Sequence, residues 1–290
     1  MSIATLLPIL LRGSLALLLF ALGLKATVRD TTYLFHQPRQ LLRAFAAMFV
    51  VMPVTALILA RGLDPHPAVK IALVALALSP LPPTFPQKAF KEGGRLAYVV
   101  GLLVAATLLA VPLIPLSLEL IERYRDLPLQ MRPTTVLGLG FWSLLLPLSI
   151  GIIIRRFAPA FAERAAGPII TTATVVLVLG VIPILIRVWP AMISLIGNGT
   201  LLAMIVFVLV GLAAGHLLGG PNPDDRTVLA ISSATRHPAI AIAIAQANFP
   251  DQKLAPAAVL LYVLVSVLAA VPYLKWAKAQ QPHAPAAARS

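Results

Sequence analysis

Apolar residues in this chain run in blocks of about twenty, and the polar residues collect between the blocks. A helix that crosses the hydrocarbon core of a bilayer needs roughly 20 consecutive apolar residues. The pattern predicts nine such helices, over residues 3–24, 41–61, 67–90, 95–119, 134–154, 167–188, 192–218, 227–248 and 255–276. Turn-forming stretches separate them, among them HQPR (36–39), LDPHP (63–67) and GGPNPDD (219–225). The first block lacks a charged leader and a small-residue cleavage site in the usual order, so it reads as a retained helix.

Two blocks are interrupted. The third runs apolar from Ile71 to Leu78 and then reads SPLPPTFPQK, with Pro80, Pro82, Pro83 and Pro86 close together. Each proline removes a backbone donor and crowds the preceding turn, so no continuous helix survives there. The eighth is broken at Thr235-Arg236-His237-Pro238, with Ser232 and Ser233 just ahead. The AIAIAIA that follows alternates like a strand, but both residue types are apolar and a lone strand cannot satisfy its backbone in lipid. It therefore reads as helix restarting at Pro238.

Each broken block is followed by an intact one with a late Ala-Val-Pro: LLAVPL (108–113) and LAAVPY (268–273), about 160 residues apart. The order predicts an internal repeat, with a first half over about 1–121 and a second over about 134–279. In inverted-repeat transporters, discontinuous helices meet near the midplane and present free N–H and C=O groups to substrate and ion.

Composition agrees. Apolar residues make up 59% of the 290 and charged residues 11%, well below the roughly 25% charged of a soluble domain. The fold class is an all-α polytopic membrane protein. With no cysteine, disulfides, thiolate metal sites and cysteine nucleophiles are excluded. The net charge of +13 lies mostly in short loops and gives a topology rather than a nucleic-acid partner. Fourteen Lys/Arg fall on one side of the nine spans and eight on the other, with Arg236 left over. The richer side is expected to be cytoplasmic, with the N-terminus outside and the C-terminus inside. The tail 280–290 is Pro/Ala-rich and expected to be disordered.

Arg236 carries the sharpest question. An arginine at mid-membrane costs about 2.5–3.5 kcal/mol on insertion scales and normally faces protein or a water-filled cavity. Either it lines the crossing of the broken helices and binds an anionic group, or it hydrogen-bonds stray carbonyls of the break. His237 either satisfies a carbonyl or titrates and couples transport to protons. Thr235, Thr84 and Gln87 join these two as candidate substrate-binding residues. Ser232, Ser233, Thr84 and Gln87 are candidate ion ligands. Lys88 either belongs to the cavity or, as the preferred reading, sits at the cytoplasmic end beside Lys91. No catalytic triad, nucleotide loop or metal cluster is visible, so no enzyme and no cofactor are expected.

The stretches LFALGLKAT (19–27), QPRQLLRAFAAMFVVMP (37–53) and RTV (226–228) resemble the bile acid:sodium symporter family, in order from about Gly13 to Trp276. The resemblance implies a prokaryotic-type member of ten helices, here without the first, with two broken helices crossing in a core domain beside a panel domain. On this chain the core would be about 41–121 and 192–279, and the panel about 1–40 and 134–190. It also implies an integral, multi-pass protein of a bacterial inner (plasma) membrane.

The resemblance further implies sodium ligands, and the chain departs from them. The family's glutamate and its later Gln-Asn fall on Ser232, Arg236 and His237. Its Ser-Asn pair falls on Thr84-Phe85 or on Pro86-Gln87. The carboxylate is absent and a cation stands nearby, so sodium coupling is doubtful and proton coupling or uniport take its place. The leading expectation is a secondary transporter of small organic anions by alternating access. The alternatives are a non-transporting sensor or scaffold with the transporter fold, or a related auxin-type or metalloid carrier. Oligomeric state is left open.

Overall fold

The computed structural model describes residues 3–125 and 133–280, and no strand occurs among them. The expected disordered tail beyond Gln280 and the loop residues Asp126 and Arg132 lie outside the described residues.

Helix α1 (Ile3–Gly23) turns through 102° into α2 (Val28–Thr32), which a 3-10 turn extends over Tyr33–His36. Next come α3 (Pro38–Phe45) and α4 (Met52–Gly62), joined through a π-helical stretch at Ala46–Val51. The first broken block is α5 (Pro67–Leu78) and α6 (Phe85–Lys91), followed by the intact α7 (Leu96–Arg125). Helices α8 (Pro133–Gly140) and α9 (Leu146–Phe157) join through a second π-helical stretch, Phe141–Leu145. The 35-residue α10 (Pro159–Ile193) and α11 (Thr200–Leu218) precede the second broken block, α12 (Pro223–Ala234) and α13 (Pro238–Asn248). The intact α14 (Ala255–Gln280) ends the fold. AIAIAIA is helical, inside α13.

Seven segments are long and apolar enough to cross a membrane, or up to eight if the bent α1–α2 pair is one span. The protein is thus a polytopic α-helical membrane protein. The expected third span divides into α5 and α6, and the 12 residues of α5 are short of a bilayer crossing by themselves. The expected sixth span is longer than its apolar block, because the helix reaches back to Pro159 and takes in Arg164.

Proline sets where these helices begin. Pro38, Pro67, Pro159, Pro223 and Pro238 each occupy the first turn of their helix, where a missing N–H costs nothing and the fixed φ suits the helix. Small residues set how close the helices come. Gly211, Gly215 and Gly219 face Ala234, Ala230 and Arg226 in turn, so α11 and α12 run antiparallel with their backbones almost touching. A Cβ on Gly215 would lie 2.4 Å from the Ala230 Cα. Such stripes of small residues are how membrane helices gain packing without a hydrophobic drive between them. Gly23 and Gly151 do the same for α1 and α9.

Two neighbourhoods result. Helix α1 packs against α9 and α10, while α4, α5, α11, α13 and α14 pack around one another. Beyond Lys70, helix α5 is apolar all round and buried on nearly every side, as expected of a helix enclosed by others. Asp225, 1% exposed, takes a two-pronged contact from Arg95 (Nε–Oδ1 3.2 Å, Nη2–Oδ2 2.5 Å), tying the start of α12 to that of α7.

Candidate functional site

The two breaks touch. At the first, Ser79 closes the last turn of α5 through its N–H and then adopts extended backbone, as a residue before proline prefers. At the second, Thr235 is extended and His237 caps α13, its Nδ1 accepting from the Ile240 N–H at 3.4 Å. The His237 N–H donates to the Pro80 carbonyl at 2.9 Å and lies 3.1 Å from the Ser79 hydroxyl oxygen.

Arg236 is 2% exposed and reaches across this junction. Its Nη1 donates to the Ser79 carbonyl at 3.2 Å and its Nη2 to the Met48 carbonyl at 2.7 Å. Both acceptors have spare capacity for reasons visible in the sequence. Continuing α5 would aim the N–H of residue 83 at the Ser79 carbonyl, but that residue is Pro83. Met48 lies in the π-helical stretch, and the residue five positions on is Pro53, which also has no N–H to give. Tyr262, on α14, donates to the Ala234 carbonyl at 2.5 Å and so satisfies the end of α12.

A cavity of about 350 Å³ opens beside the junction. Helices α1 and α10 give it aliphatic walls, including Leu11, Leu15, Leu177 and Val181. The breaks and α14 give it Thr84, Lys88, Thr235, Arg236, His237, Tyr262 and Ser266. Two side chains in that lining are cationic, Lys88 and Arg236, and no Asp or Glu is among the described residues that form it. Among the described residues Lys88 has no hydrogen-bond or ion-pair partner, whereas Arg236 is committed to carbonyls. Two buried atoms are left without partners at this junction, Arg236 Nε and His237 Nε2. Since His237 Nδ1 accepts, the neutral ring carries its hydrogen on Nε2, which makes that nitrogen a free donor.

The expected site residues therefore divide. Thr84, Thr235, Arg236 and His237 come together around the cavity. Gln87 is outside its lining, with a buried Oε1 that finds no partner. Ser232 and Ser233 are fully buried within α12 and away from the cavity; Ser232 donates back to the Leu229 carbonyl and the Ser233 hydroxyl has no partner. Arg236 contacts one carbonyl of the first break, that of Ser79, and one outside it, that of Met48. Lys88, placed by the sequence at the membrane edge with Lys91, instead lines the cavity while Lys91 is exposed. The physical reason is that α6 starts at Phe85, so Lys88 is only one turn from the break.

Sequence reasoning missed Ser79, the Met48 carbonyl, Tyr262 and Ser266. Tyr262 and Ser266 are four residues apart on an otherwise apolar helix, a same-face polar pair that could have flagged α14. The Met48 carbonyl had no such marker, because a π-helical stretch leaves no trace in the hydrophobic pattern.

Residues 14–188 match the model of the Sodium Bile acid symporter family. The chain is also similar to a Bacillus subtilis (strain 168) protein described as an uncharacterized sodium-dependent transporter, YocS. The two are 23% identical over 252 residues, covering 84% of this chain and 76% of that one. With more than half of its length matched by the family, this chain belongs to the sodium bile acid symporter family.

Proposed function

We propose that this transporter of the bile acid:sodium symporter type carries small organic anions with an apolar body, by alternating access. One observation carries the reading: the cavity beside the two breaks has aliphatic walls and two cationic side chains, with no carboxylate among the described residues that line it. An anion can leave water only if fixed charge and donors replace its hydration. In this reading Lys88 makes the direct contact, His237 Nε2 donates, and Arg236 contributes its positive field from the wall.

In the same proposal α5 and α6 form one broken span, which gives nine, and the two halves of the chain are inverted repeats. The group around α5, α11, α13 and α14 is the core, and α1 with α8–α10 is the panel. Support comes from the packing of α1 on α9 and α10, from that of α5 on α4, α13 and α14, and from the cavity beside which α10 meets α14. Residues 28–36 pack against α7, so in this reading they move with the core although the resemblance put them in the panel. The N-terminus lies outside and the C-terminus in the cytoplasm, following the uneven loop charge. Impermeant labelling of single cysteines at the two ends tests this, and finding both ends on one side would overturn it.

The relative's description speaks of sodium dependence. For this chain we propose a sodium-independent carrier, because the side chain at the crossing is already a cation. His237 caps α13 through Nδ1, which favours uniport over a proton relay.

The test is a panel of amphipathic carboxylates and sulfonates scored by thermal stabilisation of the purified protein, followed by flux in proteoliposomes. A carrier is stabilised and moves the anion, whereas a sensor is stabilised and moves nothing. Lys88→Met should weaken the best anion by roughly tenfold or more, about 1.4 kcal/mol. Unchanged affinity in that variant would remove Lys88 from the site.

A further inference from the structure

We infer that Arg236 is a tethered cation seated in a cation subsite of the crossing: the guanidinium fills, from within the chain, the carbonyl cradle that broken helices otherwise offer to a free coupling ion. The inference rests on the transport reading only for what the displaced ion would have done; the subsite itself is a matter of geometry.

Three observations carry it. First, the partners of the guanidinium are neutral backbone oxygens, those of Ser79 and Met48, and no ion pair to Arg236 occurs among the described residues. A salt-bridged arginine would have a carboxylate; this one has the ligand type that unwound helices present to alkali cations. Second, the cradle is built rather than accidental. The Ser79 oxygen ends α5, where the helix dipole concentrates negative charge, and Pro83 withholds the N–H that would occupy it. Pro53 does the same in the five-residue register that surrounds Met48. Third, the charge joins three separate stretches of chain, residues 48, 79 and 236, so it closes the junction as a bound ion would.

The experiment is a thermal melt of purified Arg236→Ala in matched millimolar chloride salts of guanidinium, sodium and choline. The emptied cradle should take up a small cation. Guanidinium or sodium should raise the melting temperature of Arg236→Ala by about 2–4 °C over choline, with no such gap in the unsubstituted protein. Equal melting in all three salts would overturn the inference. Should Arg236→Ala not fold, Arg236→Lys and Arg236→Met decide it, since they have similar bulk and differ in charge. The subsite requires Lys to melt higher than Met, and equal melting would contradict it. Neither readout involves an anion or flux, so failure here is distinct from failure of the transport reading.

Discussion

The two breaks solve opposite problems with opposite residues. The first, at residues 79–84, is made by prolines, and it leaves backbone oxygens without donors. The second, at residues 235–237, is made by polar side chains and brings donors without acceptors: two guanidinium nitrogens and the His237 N–H. Each break alone would place unpaired polar groups in a membrane interior, at several kcal/mol apiece. Together they satisfy part of this need, Arg236 donating to the Ser79 carbonyl and the His237 N–H to the Pro80 carbonyl. The lesson is that a proline cluster and an isolated arginine some 150 residues apart can be one structural feature, although neither is intelligible alone.

That complementarity can be broken most directly from the donor side. Arg236→Gln removes two charge-assisted bonds, each worth about 1.5–3 kcal/mol, and strands the Ser79 and Met48 carbonyls. Melting of the detergent-solubilised protein should fall by at least the equivalent of one such bond, and anion affinity should fall with it. A variant that melts and binds like the parent would mean the two breaks are held apart from Arg236, by packing alone.

A smaller effect sharpens the contrast. At the end of α12 the second break leaves the Ala234 carbonyl over, and Tyr262 answers it from α14. Tyr262→Phe keeps the ring against Phe207 but strands the Ala234 oxygen, at about 1 kcal/mol. A loss as large as that of Arg236→Gln would show that α14, and not the first break, is the main support of the second.

Much of this was legible in the sequence, and the part that was not has a common cause. Pro80, Pro82 and Pro83 announce a break because proline acts locally, and Arg236 announces a buried site because its charge is out of place among apolar residues. Thr84, Thr235 and His237 followed from adjacency to those markers. Carbonyls of the break were one of two readings for Arg236, but its Met48 partner did not follow, since backbone carbonyls are present at every position and a change of helical register, as at Ala46–Val51, leaves no mark in the pattern. For Lys88 the cavity was the second choice, because charge near a block's end normally marks the membrane edge, whereas here the helix containing it is only seven residues long and begins at the cavity. The burial of Ser232 and Ser233 outside the cavity lining was not legible, because nothing in the sequence around them says which side of α12 the other helices cover.

The central claim is that the crossing carries its own positive charge and receives an anion beside it without help from sodium. The direct measurement is uptake of the best-binding organic anion into proteoliposomes, with sodium outside replaced in turn by potassium and by choline at constant ionic strength. The account predicts the same initial rate and the same half-saturating anion concentration in all three salts, within the scatter of replicate vesicles. A steep rise of uptake with sodium, absent in potassium and choline, would contradict it and return the crossing to a free coupling ion.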